Sequence, residues 1–202
     1  MKRISAAVLF LLVAISVAPV YGQEADVAAR NRTRDLLAKL LDKAGPTINV
    51  VFSQSEKQPY NYVGTLKTGL VNTESFEIVI SVTPKDTIGF RVYPHYKGAY
   101  INVDKVGDRA ALMRLLLRLS DRAFLFWGAD ETGDIFTGYT FTLESGFPEE
   151  AINIVLRSIV NSDKFLGEMK PILDTPIEPI TSVAPTVKST PAKKVPARRR
   201  RG

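Results

Sequence analysis

This chain has no cysteine. Disulfides, thiolate metal sites, thiol catalysis and a lipid-modified cysteine are all excluded by that single fact. Histidine is nearly absent too. His95 is the only one, so a two-histidine metal site is out, and any proton relay must use that residue. The sequence lacks a phosphate-cradling Gly-rich loop, a Gly-x-Ser-x-Gly elbow and a His-Glu-x-x-His pair. It has no internal repeat. Acidic residues are missing from the last twenty positions. No cofactor is expected from what remains.

At the N-terminus, Lys2 and Arg3 lead into an apolar run from Ile4 to Ala18, followed by Pro19-Val20-Tyr21-Gly22. A cationic start, an apolar stretch and a small-residue exit are the layout of a secretory signal peptide. Residues 1–22 are read as that signal, with cleavage before Gln23. The alternative is a retained anchor. As a helix the run would span about 22 Å, short of a hydrocarbon core of roughly 30 Å, and Pro19 is expected to break it. An exported domain without disulfides must be held by its core, which points to a bacterial envelope, periplasmic or extracellular.

Charge has to be placed before it is interpreted. The formal net charge is +6, with 27 Lys and Arg against 21 Asp and Glu. Two cations belong to the signal, and Lys188, Lys193, Lys194 and Arg198, Arg199, Arg200 and Arg201 to the tail. Taking nine from 27 leaves 18 against 21, so residues 23–182 carry about −3. Basicity belongs to the tail, which argues against specific nucleic-acid binding by the domain. Residues 175–202 are rich in Pro, Thr, Ser, Ala and Lys, without aromatics or apolar periodicity. Such a segment is expected to stay extended and disordered. Its arginine run could hold an anionic lipid or envelope polymer by charge alone. The plainer account is a solvated tail without a dedicated partner.

Residues 23–174 have the size of one domain. Asp26 to Lys43 places Leu36, Leu37, Leu40 and Leu41 at helical spacing and stops at Gly45-Pro46. Ile48 to Phe52 reads as a strand, Tyr60 to Leu66 as a second, and Phe76 to Val82 as a third. Pro84-Lys85-Asp86 turns the chain back into Ile88 to Tyr93, with Tyr96 to Asn102 extending the region. Asp108 is placed to cap a helix from Arg109 to Arg122 whose apolar side is Leu112, Leu115, Leu116 and Leu119. Phe124 to Trp127 and Ile135 to Leu143 form a hairpin about an acidic Gly turn, Asp130 to Asp134. A last helix opens at Pro148-Glu149-Glu150 and is expected to close near Pro171. The fold class is therefore α+β: an antiparallel sheet with helices packed on one face, in the order helix, three or four strands, helix, two strands, helix.

The stretch ALMRLLLRLSDRAFLFWGADETGDIFTGYTFTLESGFPEEAINIVLRSI, Ala111 to Ile159, resembles the YbjN family of bacterial sensory-transduction regulators. The resemblance lies in a leucine-rich helix, an aromatic strand, an acidic Gly turn, an alternating strand and a Pro-Glu-Glu helix start. It implies the fold of type III secretion chaperones over about 140 residues. It brings no catalytic residues with it, and the signal segment and basic tail depart from the many cytoplasmic members.

Each remaining feature has a plainer account. His95, in Tyr93-Pro94-His95-Tyr96, is read as a loop or edge residue before a catalytic one. The Asp130 to Asp134 acids lack the frame of a calcium loop and suit a hairpin turn. Tyr60, Tyr62, Tyr93, Tyr96 and Tyr100 crowd the strand region. Tyrosine is common on binding surfaces and equally common in sheets. Arg114, Arg118 and Arg122 recur at four-residue steps, as an anion-binding stripe or a solvated helix face.

Three functions follow. The leading one is a non-enzymatic, chaperone-like or regulatory module that binds a protein or peptide, with the tail as a tether; a homodimer is compatible with it. The others are a small envelope hydrolase built around His95 and a polyanion binder acting through its tail. An open apolar sheet face would favour the binder, and a deep polar pocket the enzyme.

Overall fold

The computed structural model describes residues 18–176. Most of the expected signal segment and nearly all of the basic tail, including Arg198–Arg201, lie outside the described residues. The protein is α+β. Helix α1 (Ala18–Ala44) precedes five strands, β1 (Ser53–Gln54), β2 (Asn61–Leu66), β3 (Ser75–Val82), β4 (Thr87–Tyr96) and β5 (Ala99–Tyr100). Helix α2 (Arg109–Arg122), strands β6 (Phe126–Ala129) and β7 (Ile135–Thr142), and helices α3 (Glu149–Ser158) and α4 (Asp163–Leu173) follow. The sheet is antiparallel throughout, in the order β1-β2-β3-β4-β7-β6, with β5 folded back on the end of β4.

Strand periodicity decides which face of that sheet is covered. On β3, Phe76, Ile78, Ile80 and Val82 are buried while Glu77, Val79 and Ser81 are half-buried. The register carries this face across the sheet. Ile78 lies opposite Val92, Ile80 opposite Phe90 and Val82 opposite Ile88. Thr137, Tyr139 and Phe141 continue the same three rows on β7. All the helices pack here. Leu37, Leu40 and Leu41 of α1, the four leucines of α2, Ile152, Val155 and Leu156 of α3, and Leu166 and Met169 of α4 join the strands in one cluster. Each such side chain contributes roughly 1.5–3 kcal/mol on full burial.

Several local signals act as their chemistry requires. The Asp108 carboxylate accepts the Ala111 N–H at 2.8 Å, and α2 begins at the next residue. Glu149 and Glu150 occupy the first turn of α3, where the helix dipole favours acids. Ser120 of α2 closes part of the sheet's edge. Its hydroxyl accepts the Trp127 N–H at 2.8 Å and donates to the Trp127 carbonyl at 3.1 Å. A neighbouring strand would otherwise pair with those two groups.

Three expectations give way to the structure. The Ile48–Phe52 run is not a strand. Gly45–Ile48 forms a 3-10 turn, and Asn49 takes a left-handed φ of 57° while its N–H caps that turn. The run's apolar side chains are used differently, with Val50 and Phe52 lying over bare Gly64, and pairing starts only at Ser53. The first helix begins earlier than Asp26. As described it starts at Ala18, so Pro19 sits in its first turn, where a missing N–H is tolerated. The expected cleavage point before Gln23 falls inside it.

The last helix is two helices. A 3-10 turn at Ile159–Ser162 separates α3 from α4, and Pro171 lies inside α4 instead of ending it. The break has a physical anchor in Asp163, which is only 5% exposed. Its carboxylate accepts the backbone N–H groups of Val71 at 2.8 Å, Asn72 at 3.0 Å and Thr73 at 3.0 Å. The Asn72 side-chain amide donates to it at 3.2 Å. The β2–β3 loop is thereby fastened to the start of α4. Thr73 passes the connection on, since its hydroxyl donates to the His95 carbonyl.

Candidate functional site

The face of the sheet opposite the helices is open, and alternation along each strand selects what stands on it. On β4 these are Arg91, Tyr93 and His95. The register adds Glu77 beside Tyr93, and Gly138 beside Arg91. On β6 and β7, Phe126 faces Gly138 and Gly128 faces Phe136. Hairpin β4–β5 sets Tyr100 beside His95.

These side chains make a continuous aromatic row. His95 and Tyr100 are 4.4 Å apart between ring centroids, edge to face. Tyr100 meets Tyr93 at 5.8 Å, Tyr93 meets Phe136 at 5.8 Å, and Phe136 meets Phe126 at 5.8 Å. The Arg91 guanidinium sits 4.8 Å from the Phe136 centroid, within cation–π range. Phe136, in the middle, is 7% exposed, whereas Phe126 and Tyr100 at or near the two ends are 42% and 38% exposed. Glycine has a definite role here. A Cβ on Gly138 would strike the Phe90 carbonyl and come within 3.2 Å of the Phe126 ring, so the bare residue lets Phe126 lie against the sheet.

Charge frames the row. Burial, with the Glu77 carboxylate stabilising its protonated form, pushes the Tyr100 phenol up to about 12. Burial also raises the Tyr93 phenol, with Arg91 pulling the other way and Asp130 adding to the rise. At the β6–β7 turn Asp130 is partly buried, which by itself would raise its carboxyl. The Thr132 hydroxyl at 2.7 Å and the N–H groups of Asp134 and Thr132 outweigh that and lower it. Arg91 is the only cation among the described strand residues of this face.

The five strand-region tyrosines separate by role. Tyr93 and Tyr100 stand on the open face. Tyr96 points to the other side, where its hydroxyl donates to Asp174 at 3.0 Å. Tyr60 lies under the Arg30 guanidinium at 3.5 Å and donates to Asn31. Tyr62 is buried, with its hydroxyl on the Arg34 carbonyl at 3.2 Å. The arginine stripe does not join the row. Arg114, Arg118 and Arg122 are exposed on α2, on the helical side. Arg122 pairs with Glu168 at 2.6 Å, and among the described residues Arg114 and Arg118 make no ion pair.

His95 belongs to the aromatic row and not to an acid–histidine pair. Its Nε2 is buried with no hydrogen-bond partner among the described residues. The Glu74 carboxylate, one strand away, accepts the Gly98 N–H at 2.9 Å. The Asp130 to Asp134 turn is a hairpin turn, with Gly133 at φ 83°. No group of acids and histidine able to hold a metal occurs among the described residues. Clefts of about 290 and 420 Å³ lie on the helical side, near Lys43 and Arg157 and near Arg32 and Phe147. Neither is lined by the aromatic row.

Phe126, Phe136 and Arg91 were not singled out from the sequence. The alternation of Ile135 to Leu143 draws attention to the odd positions, which face the helices, and Phe136 lies between them. Only the β4–β7 and β6–β7 registers set it beside Tyr93 and Phe126. No helix among the described residues is long and apolar enough to cross a membrane. No protein-family model matches this chain, and no curated protein matches it.

Proposed function

We propose that this protein is an exported, non-enzymatic binding module that docks an extended peptide or protein segment on its open sheet face, with the basic tail as an electrostatic tether. The observation that supports this most directly is the row His95–Tyr100–Tyr93–Phe136–Phe126 on the face without helices. Rigid aromatic side chains supply contact area at small entropic cost, and they are enriched where proteins bind one another. Arg91, Glu77 and Asp130 give that area a polar border that can set orientation. The N-terminal segment supports export, and the likeness to YbjN proteins supports a chaperone-like or regulatory use. Seven cations in the last twenty residues suit a tether to an anionic polymer or lipid of the envelope.

A displayed library of short peptides tests the docking face. Wild-type protein should enrich peptides whose binding is lost in the Tyr93→Ser/Phe126→Ser double variant. Binding should survive in Arg114→Ser/Arg118→Ser, which alters the helical side. Enrichment that is equal in all three proteins would refute the assignment of the face.

A further inference from the structure

We propose that the aromatic face takes a proline-rich basic segment, and that its occupant in the resting protein is this chain's own C-terminal tail. The proposal rests on the docking face argued above and adds what fills it. Three observations point the same way.

The first is where the described chain ends. Asp174 accepts from the Tyr96 hydroxyl at 3.0 Å and from Lys97 Nζ at 2.7 Å. The Pro176 carbonyl lies close against Gly107. The tail therefore departs beside hairpin β4–β5, the hairpin that carries His95 and Tyr100. From Gly107, just ahead of α2, a tail that turned back past Lys97-Gly98 would come to the start of the row.

The second is length and composition. Residues 177–202 include Pro179, Pro185, Pro191 and Pro196. A proline-rich stretch favours the polyproline II helix, which rises about 3.1 Å per residue and seats on aromatic-lined surfaces with little further loss of entropy. The row consists of four centroid steps of less than 6 Å each. Roughly seven residues in that conformation cover it.

The third is charge. The last twenty residues hold seven cations and no acid. The β6–β7 turn that carries Asp130, Glu131 and Asp134 lies at the Tyr93–Tyr100 end of the row, where Asp134 bridges to Asn102 and Asp130 acts on the Tyr93 phenol, and Phe126 is at the opposite end of β6. Glu77, opposite Tyr93, lies at the same end as that turn, and Arg91 is the single like charge among the described strand residues of the face. A tail lying along the row with its basic end towards Tyr93 and Tyr100 would bring its arginines to these acids.

The absence of cysteine makes the test direct. A nitroxide on Ser189→Cys in the full chain labels one position, and its effect on backbone amide signals maps where the tail lies. Broadening is expected at Gly89, Arg91, Gly128 and Gly138, with Leu112 and Leu156 on the helical side spared. It should be lost in the Phe126→Ser background, where Phe126 is exposed enough for the fold to survive, with Trp127 fluorescence as the check. Broadening spread evenly over both faces, or none, overturns the proposal. So does broadening seen only between a labelled chain and a separate isotope-enriched copy, which would make the occupant a second molecule. The docking-face reading stands or falls separately, because selected peptides that need Tyr93 and Phe126 would uphold the face even if the label never approached it.

Discussion

Replacing Asp163 with asparagine should be among the most damaging conservative changes in this protein. The carboxylate is buried, and no lysine or arginine lies within ion-pair distance among the described residues. Its charge is met instead by donors. Oδ1 accepts from the Thr73 N–H and Asn72 N–H, and Oδ2 from the N–H groups of Val71 and Asn72 and from the Asn72 amide. An asparagine keeps one oxygen and puts an NH₂ where the other stood. With its oxygen at the Oδ1 position, that NH₂ meets the Val71 N–H, donor against donor. The Val71 bond is part-buried at an exposed residue, so its unpaired N–H costs towards the low end of about 1–3 kcal/mol, and the remaining bonds lose the advantage of a charged acceptor. The expected loss is about 2–3 kcal/mol, which for a domain of this size lowers Tm by roughly 8 °C. Urea and thermal unfolding followed through Trp127, the one tryptophan and a buried one, would measure it. Amide exchange should show Val71, Asn72 and Thr73 losing protection first. Asp174→Asn is the contrast, because its pair with Lys97 is exposed, and it should leave stability almost unchanged. Equal stability of the two variants would refute the claim that the loop–helix clasp holds this end of the domain.

Two further outcomes test the open face. The Tyr100 phenol is raised to about 12, above its ordinary value near 10. Its contribution to stability should therefore be complete below pH 10 and be lost as pH rises towards 12. Phenolate absorbance compared with Tyr100→Phe should show it titrating late, with Glu77→Gln returning only part of the shift because burial is the larger cause; a Tyr100 titrating at its ordinary value would contradict the packing. Gly138→Ala should cost about 1–3 kcal/mol by forcing a methyl into the Phe90 carbonyl and the Phe126 ring, and unfolding in urea with an unchanged midpoint would show that the face can yield there.

Most of the secondary structure was legible because the relevant signals are local. Asp108 begins α2, and leucines at 3.6-residue spacing carry it to Arg122. Phe76 to Val82 alternates as a strand covered on one side must. The Asp130–Asp134 turn announces its hairpin. Legibility failed where a distant partner decided the outcome. Ile48 to Phe52 has strand composition, but Asn49 adopts a left-handed turn and Val50 and Phe52 are taken up over Gly64. The stretch from Glu149 to Leu173 has helical periodicity throughout, yet it breaks at a junction held by Val71, Asn72 and Thr73, some ninety residues earlier in the chain.

The candidate site divides in the same way. Tyr93 and Tyr100 were candidates by residue type, and Tyr96 was grouped with them although strand parity turns it to the opposite side. Composition and pattern by themselves determined an α+β chain without thiol chemistry, with its acid in the domain and its excess base in the tail. These follow from counts and from periods of two and 3.6 residues, which need no knowledge of neighbours. Tertiary structure alone decided that Phe126, Phe136, Tyr93, Tyr100 and His95 form one row, and that a lone buried aspartate binds a loop to a helix. Both depend on register and on contacts between residues far apart in the chain, and neither is written in any local stretch of it.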